Sequence, residues 1–197
     1  MTTSRDELLA RIRSHAWDGP ELPSLDREWS RATDLRQQFT DVLAGVGGRC
    51  LQVASLADAE ADLQSLTQYA EAPKTVSLVP GVGRSTFDLS AVVDPHDLED
   101  VDFAVLPGDI AVAENGAVWV TDAAVPQRVL FFLPQHLALV VPAAGLVGNL
   151  HEGQARATLG ERPFGCWMSG PSKTADIEQA LVIGAHGARS LTVYLVG

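Results

Sequence analysis

The sequence predicts an α/β fold: one domain over 28–197 with a mixed parallel and antiparallel sheet, preceded by a helical arm over 1–27. Three observations carry that expectation. A strand–helix–strand run fills 49–80, as RCLQVA, then LADAEADLQSLTQYA with helical period, then TVSLVP. Such a crossover joins parallel neighbours and lays a helix on the sheet face. Asn115-Gly116 stands between apolar clusters, the pattern of a tight antiparallel hairpin. Finally, RVLFFLP (128–134) and HLALVVP (136–142) are continuously apolar rather than alternating, as in strands covered on both faces.

Taken in order, Ser4 can cap a helix over 4–16 whose Leu8, Leu9, Ile12 and Ala16 form one stripe. Gly19, Pro20 and Pro23 break it. A helical period resumes over 28–46 through Trp29, Ala32, Leu35, Phe39, Val42 and Val46 and stops at Gly47-Gly48. Trp17 and Trp29 either pack the arm down or meet another subunit, so a homo-oligomer stays open. GVGRSTFD (81–88) is a glycine-rich loop with Arg84; without a third glycine and a following helix it reads as a loop at a strand end. Apolar clusters at 103–106, 110–113 and 117–120 give short strands punctuated by Pro107-Gly108 and Asn115-Gly116. A helix around 149–159 follows, and SLTVYLV (190–196) is a last strand.

Composition narrows the function. A net charge of −11 and a pI near 4.7 argue against nucleic acid and against an anionic membrane surface, both of which need a basic face. An anionic substrate would need a local positive site. Cys50 and Cys166 stand far apart with no CxxC, which excludes a zinc ribbon or an iron–sulfur cluster held by this chain alone. Two lone cysteines, an N-terminus with acidic residues and no apolar core, and no apolar run of the roughly 18–20 residues that a span requires point to a cytoplasmic protein.

The stretch WMSGPSKTADIEQALVIGAHG (167–187) concentrates polar chemistry. An apolar strand leads into a Gly-Pro turn and then an amphipathic segment, with Ile177, Ala180, Leu181 and Gly184 on one helical face. Ser169, Ser172 and Thr174 offer hydroxyls, Gly170 and Pro171 make the turn, and Lys173 adds a positive charge. Together with the free N–H groups of a helix start they could cradle a carboxylate or phosphate. Equally, Ser172 or Thr174 could simply cap the helix, with Asp176 and Glu178 complementing its dipole.

The segments DFAVLPGDIAVAENGAVWV, LPQHLALVV and SGPSKTADIEQALVIGAHGARSLTVYLV, in that order and spacing, resemble the LUD-domain family, the lactate-utilisation proteins of the C-subunit type. The family pattern carries a Glu-Thr-Gly-Thr-like sequence where this chain has Glu114-Asn115-Gly116-Ala117, which marks a divergent branch. The resemblance implies a three-layer α/β/α open mixed sheet, related to the ribose-5-phosphate isomerase, glucosamine-6-phosphate deaminase and CoA-transferase group. It implies a part in oxidising L-lactate to pyruvate, a small carboxylate substrate, and iron–sulfur clusters carried on partner subunits, with no cofactor assigned to this chain. Glu114, presented at a strand end, and His136, a general base for a hydroxyl proton, are the catalytic candidates. Ser169, Gly170, Pro171, Ser172, Lys173, Thr174, Asp176 and His186 are the substrate- or anion-binding candidates. No ligand spacing supports a metal. Two other functions remain on the table: a stand-alone enzyme of isomerase or CoA-transferase type in which Glu114 is base or nucleophile, and a non-catalytic carboxylate-binding or assembly module.

Overall fold

The computed structural model describes residues 3–15, 19, 21, 23, 24, 32–159, 164–174 and 182–197, in one unit over Met1–Ser30 and a second over Arg31–Gly197. In the first, α1 (Ser4–Ser14) is capped by Thr3 rather than Ser4. The Thr3 hydroxyl accepts from the Asp6 amide while the Asp6 carboxylate accepts from the Thr3 amide, a reciprocal capping box. No residue of α1 is buried. Trp17 and Trp29 lie outside the described residues.

The second unit opens with α2 (Leu35–Gly45), where the Asp34 carboxylate accepts from the Gln37 amide at 3.0 Å. That cap fixes the start at Leu35, so Ala32 is not helical although it fits the period; 28–31 lie outside the described residues. The strand–helix–strand run is β1 (Arg49–Val53), α3 (Leu56–Ser65), α4 (Thr67–Ala70) and β2 (Thr75–Ser77). The single helix expected over 56–70 is interrupted at Leu66, which turns extended (φ −75°, ψ 120°) and packs its side chain against the core that holds Leu63 and Tyr69.

Next come β3 (Phe103–Pro107), β4 (Ile110–Val112), β5 (Ala117–Thr121), β6 (His136–Pro142), β7 (Leu146–Val147), α5 (Leu150–Arg156), β8 (Gly165–Met168), β9 (Lys173–Thr174), β10 (Val182–Ile183) and β11 (Ser190–Val196). The run 128–134 is not a strand. Arg128–Phe131 form a 3-10 turn that buries Leu130 and Phe131 and leaves Phe132 and Leu133 at the surface. A short apolar run carries no period of its own, and here local bonds from the Phe132 and Leu133 amides to the Val129 carbonyl decide its shape.

The central sheet has the order β1-β11-β6-β3-β2, and every pairing in it is parallel. Side chains alternate across it. Leu137, Leu139 and Val141 of β6 face the core that includes Phe39 and Leu43 of α2. Ala138 and Val140 face the opposite core, with Ala59 and Leu63 of α3 and Tyr69 of α4. Helices on both faces of the sheet give the α/β/α layering, and they explain why HLALVVP is apolar throughout. Antiparallel pairing lies elsewhere, in the two-stranded β9–β10 sheet and in a four-stranded sheet ordered β7-β4-β5-β8 whose Ala111, Val118 and Val120 join the α2-side core. The expected mixture of parallel and antiparallel pairing thus occurs within the four-stranded sheet, where β7 pairs parallel with β4, while the central sheet is parallel throughout.

One polar clamp ties the layers. Arg49 of β1 donates to both carboxylate oxygens of Asp62 on α3, at 2.7 and 2.6 Å, and the Tyr194 hydroxyl of β11 donates to the same carboxylate at 2.8 Å. The fork geometry of the guanidinium suits a carboxylate, and Arg49 with Tyr194 holds the Asp62 carboxyl below the usual carboxylate range.

Candidate functional site

The β4–β5 hairpin is real but longer than a two-residue loop: Val112 pairs with Ala117, leaving 113–116 in the turn. Gly116 has φ +65°, and a side chain there would meet the backbone of Leu43 in α2 at 3.1 Å. Only glycine adopts that conformation at so close an approach without strain. The Gly116 amide donates to the Val112 carbonyl at 3.0 Å, and the Asn115 side-chain oxygen accepts from the Ala117 amide at 3.1 Å. Glu114 is exposed at the tip. Its amide donates to the Gly148 carbonyl, and its carboxylate accepts from the Leu150 amide at 2.9 Å, at the first residue of α5. Glu114 therefore serves as an anionic partner for the start of α5.

The second predicted segment comes to the same turn. The Ser169 hydroxyl donates to the Asn115 carbonyl at 2.8 Å, Gly170 turns with φ +73° against the Val46 carbonyl, and Pro171 is buried beside Gly47. Beyond it Lys173 and Thr174 lie in a strand rather than in the first turn of a helix. Lys173 and Thr174 pair antiparallel with Ile183 and Val182, and Gly184, placed on the expected helical face, has φ +75°. The Ser172 amide donates to the Ala188 carbonyl and its carbonyl accepts from the Gly184 amide, both at 2.9 Å. Main-chain pairing thus takes the Ser172 amide and carbonyl, and with Lys173 and Thr174 in a strand Ser172 caps no helix; a helix start after Thr174 falls on residues outside those described. Asp176, Glu178 and the rest of 175–181 lie outside the described residues.

What the segment does build is a pocket of about 290 Å³. Ser169, Gly170, Ser172, His186 and Gly187 form its polar mouth, and Phe131, Leu137 and Leu191 its apolar floor. The Cys166 thiol also lines it; burial pushes that thiol up, so it stays protonated and is no nucleophile at neutral pH. Hydroxyls and an imidazole over an apolar floor suit a small molecule with one polar end. Lys173 and Thr174 are not part of the lining.

His136 is placed apart from this pocket by the pleat of β6. Leu137 contributes to the floor, and His136, its neighbour, points to the other face of the sheet. There its Nδ1 meets the Ser190 hydroxyl at 2.8 Å and its ring stacks on Phe103 at 5.9 Å. Burial, then the adjacent Arg189 guanidinium, pushes its pKa below the ordinary histidine value, keeping the ring neutral. It opens on a cleft of about 380 Å³ with Gln135 and Arg189. Neither cleft contains Glu114, so the two catalytic candidates do not share a pocket among the described residues.

The 81–88 loop is a structural one. The Gly83 amide donates to Glu60 of α3, the Arg84 amide donates to the Tyr69 hydroxyl, and the Arg84 guanidinium lies over the Tyr69 ring. Among the described residues no group of three or more His, Cys, Asp or Glu is placed to hold a metal ion, and no helix is long and apolar enough to cross a membrane. A further cavity, lined by Asp109, Thr121 and Arg156, has no signature in the sequence. These residues are far apart in the chain and form no motif.

The family model of the LUD domain matches residues 92–196, just over half of the chain. The chain is similar to Lactate utilization protein C of Halalkalibacterium halodurans, 34% identical over 95 residues that cover 45% of this chain and 41% of the relative. It is similar to Lactate utilization protein C of a Geobacillus strain at 26% identity over 98% of this chain and 79% of that one. The first of these matches thus spans about two fifths of the relative's length. Among solved structures, the crystal structure of a DUF162 family protein from Deinococcus radiodurans superposes with a TM-score of 0.59 over 86% of this chain and 100% of that chain, at 20% identity, which is a likeness of fold.

Proposed function

The chain belongs to the LUD-domain family, and from that premise we propose that it serves in lactate utilisation, as a subunit that takes part in oxidising L-lactate to pyruvate beside separate iron–sulfur proteins. The observation that carries this reading is one of placement. The matched stretch contains both the 113–116 turn and the 169–172 loop, and the Ser169 hydroxyl joins them at the edge of the 290 Å³ pocket. The names of the relatives point to lactate as the compound used.

The pocket's chemistry supports a small carboxylate. Ser169, Ser172 and His186 offer hydrogen bonds to the polar end, and Phe131, Leu137 and Leu191 accept a short apolar tail. Oxidation of the alcohol carbon releases two electrons and two protons. Cys50 and Cys166 are too few for a cluster held by four thiolates, so electron transfer onward is assigned to partner subunits. The test is genetic. Deleting the gene should abolish growth on L-lactate while leaving growth on glucose intact, and the wild-type gene should restore it. Undiminished growth on L-lactate after deletion would sink the proposal.

A further inference from the structure

A cavity of about 520 Å³ opens where the chain passes from the central sheet to the smaller one, away from the pocket assigned to lactate. Pro107 and Asp109 leave the carboxyl end of β3, Gly145 follows the carboxyl end of β6, Thr121 ends β5, Arg156 ends α5 and Thr158 follows it. Open parallel sheets take their ligands outside the carboxyl ends of their strands, and the volume is that of a drug- or cofactor-sized ligand, several times what a three-carbon acid fills.

Opposite charges face this space. The Arg156 guanidinium makes no hydrogen bond or ion pair with any other described residue, on a chain whose net charge is −11. The segment that follows Arg156 is tethered by the Trp119 indole N–H, which donates to the Thr158 carbonyl at 3.4 Å. Among the described residues the Asp109 carboxylate accepts one long hydrogen bond, from the Thr121 hydroxyl at 3.5 Å, through one oxygen, which leaves the other to take a donor from a ligand. Partial burial pushes the Asp109 carboxyl up. A second negative charge beside Asp109 would be repelled, which orients any anion with its charged end at Arg156 and its neutral donors at Asp109.

The geometry points to a second binding site, for a hydroxylated anion: a carboxylate or phosphate on Arg156, with hydroxyls donating to Asp109 and exchanging hydrogen bonds with Thr121. Leu159 and the Trp119 edge receive the carbon skeleton. The site is independent of the lactate reading.

Calorimetric titration of the full chain at pH 7 tests it, with D-gluconate and glucose 6-phosphate as probes and with acetate and glycerol as controls for charge alone and hydroxyls alone. At least one probe should bind saturably, with both controls weaker by about tenfold or more. Gluconate alone identifies a carboxylate ligand, glucose 6-phosphate alone a phosphate. Arg156→Ala, at an exposed position where a melting curve will verify folding, should weaken the bound probe by about tenfold or more, the scale of one charge-assisted hydrogen bond. Thr121→Val should weaken it by a smaller factor, and Ser172→Ala, in the other pocket, should leave it unchanged. The site is overturned if neither probe saturates, if acetate binds as well as gluconate, if Arg156→Ala changes nothing, or if Ser172→Ala is the variant that abolishes binding.

Discussion

Replacing Gly116 by alanine probes how the 113–116 turn is held, and Gly81→Ala is its control. Both glycines adopt the left-handed region, at φ +65° and φ +81°. For an L residue that conformation costs about 1–2 kcal/mol, and the lower chain entropy of the unfolded alanine variant returns about 0.4–1 kcal/mol in both cases. The surroundings differ. A Cβ on Gly81 meets nothing within 4 Å, whereas a Cβ on Gly116 lies 3.1 Å from both the amide nitrogen and the Cα of Leu43, a fully buried residue in α2. Backbone cannot rotate out of the way, and overpacking of that kind costs about 1–3 kcal/mol. Gly116→Ala should therefore be less stable than Gly81→Ala by about 1–3 kcal/mol, read from urea unfolding followed by circular dichroism with unchanged slopes. Equal midpoints for the two variants would refute the claim that α2 braces the turn.

Other outcomes follow from single contacts. Ser169→Ala removes the 2.8 Å hydrogen bond to the Asn115 carbonyl and should cost about 0.5–1.5 kcal/mol in the same unfolding assay. Asp62 titrates below the usual carboxylate range in the folded chain, so its contribution is present above the unfolded value of about 3.9 and is lost as pH falls through the lower folded value. Asp62→Asn should lower stability at neutral pH and flatten that acid limb of the stability–pH curve. The His136 ring should titrate by NMR below the ordinary histidine value, and because burial is the first cause and Arg189 the second, Arg189→Ala should recover only part of the difference. Since the folded state prefers the neutral ring, stability linked to His136 falls as pH drops below the unfolded value of about 6.5.

The sequence was most legible where one physical requirement dictates the pattern. HLALVVP had to be covered on both faces, and its odd and even residues enter the two cores. Asn115-Gly116 announced a reversal, though the turn length depended on Leu43, a residue 73 positions away that no local rule sees. The misreadings share one cause. RVLFFLP and the segment around Ser172 have local patterns that suit more than one structure: at RVLFFLP the bonds to the Val129 carbonyl chose the 3-10 turn, and around Ser172 the bond from its amide to Ala188 and the pairing of Lys173–Thr174 with Val182–Ile183 chose a strand. For the candidate site, Ser169, Gly170, Ser172 and His186 were legible because they lie in one short polar stretch that folds into one pocket mouth. His136 was legible as a residue but not as a location, since whether it faces that pocket is set by the one-residue alternation that gives Leu137 the other face. Asp109 and Arg156 were invisible as a pair because only the crossing between the two sheets brings them together.

The most direct measurement is the L-lactate-dependent reduction of an artificial electron acceptor by the reconstituted complex, run with and without this chain and with a Gly187→Val variant. A side chain at position 187 meets Ser172 at 3.0 Å and so intrudes on the pocket mouth. The account predicts that omission of the chain abolishes the reaction and that a folded Gly187→Val variant, incorporated normally, raises the lactate concentration needed or lowers the rate. Full lactate oxidation by the iron–sulfur proteins without this chain would contradict it.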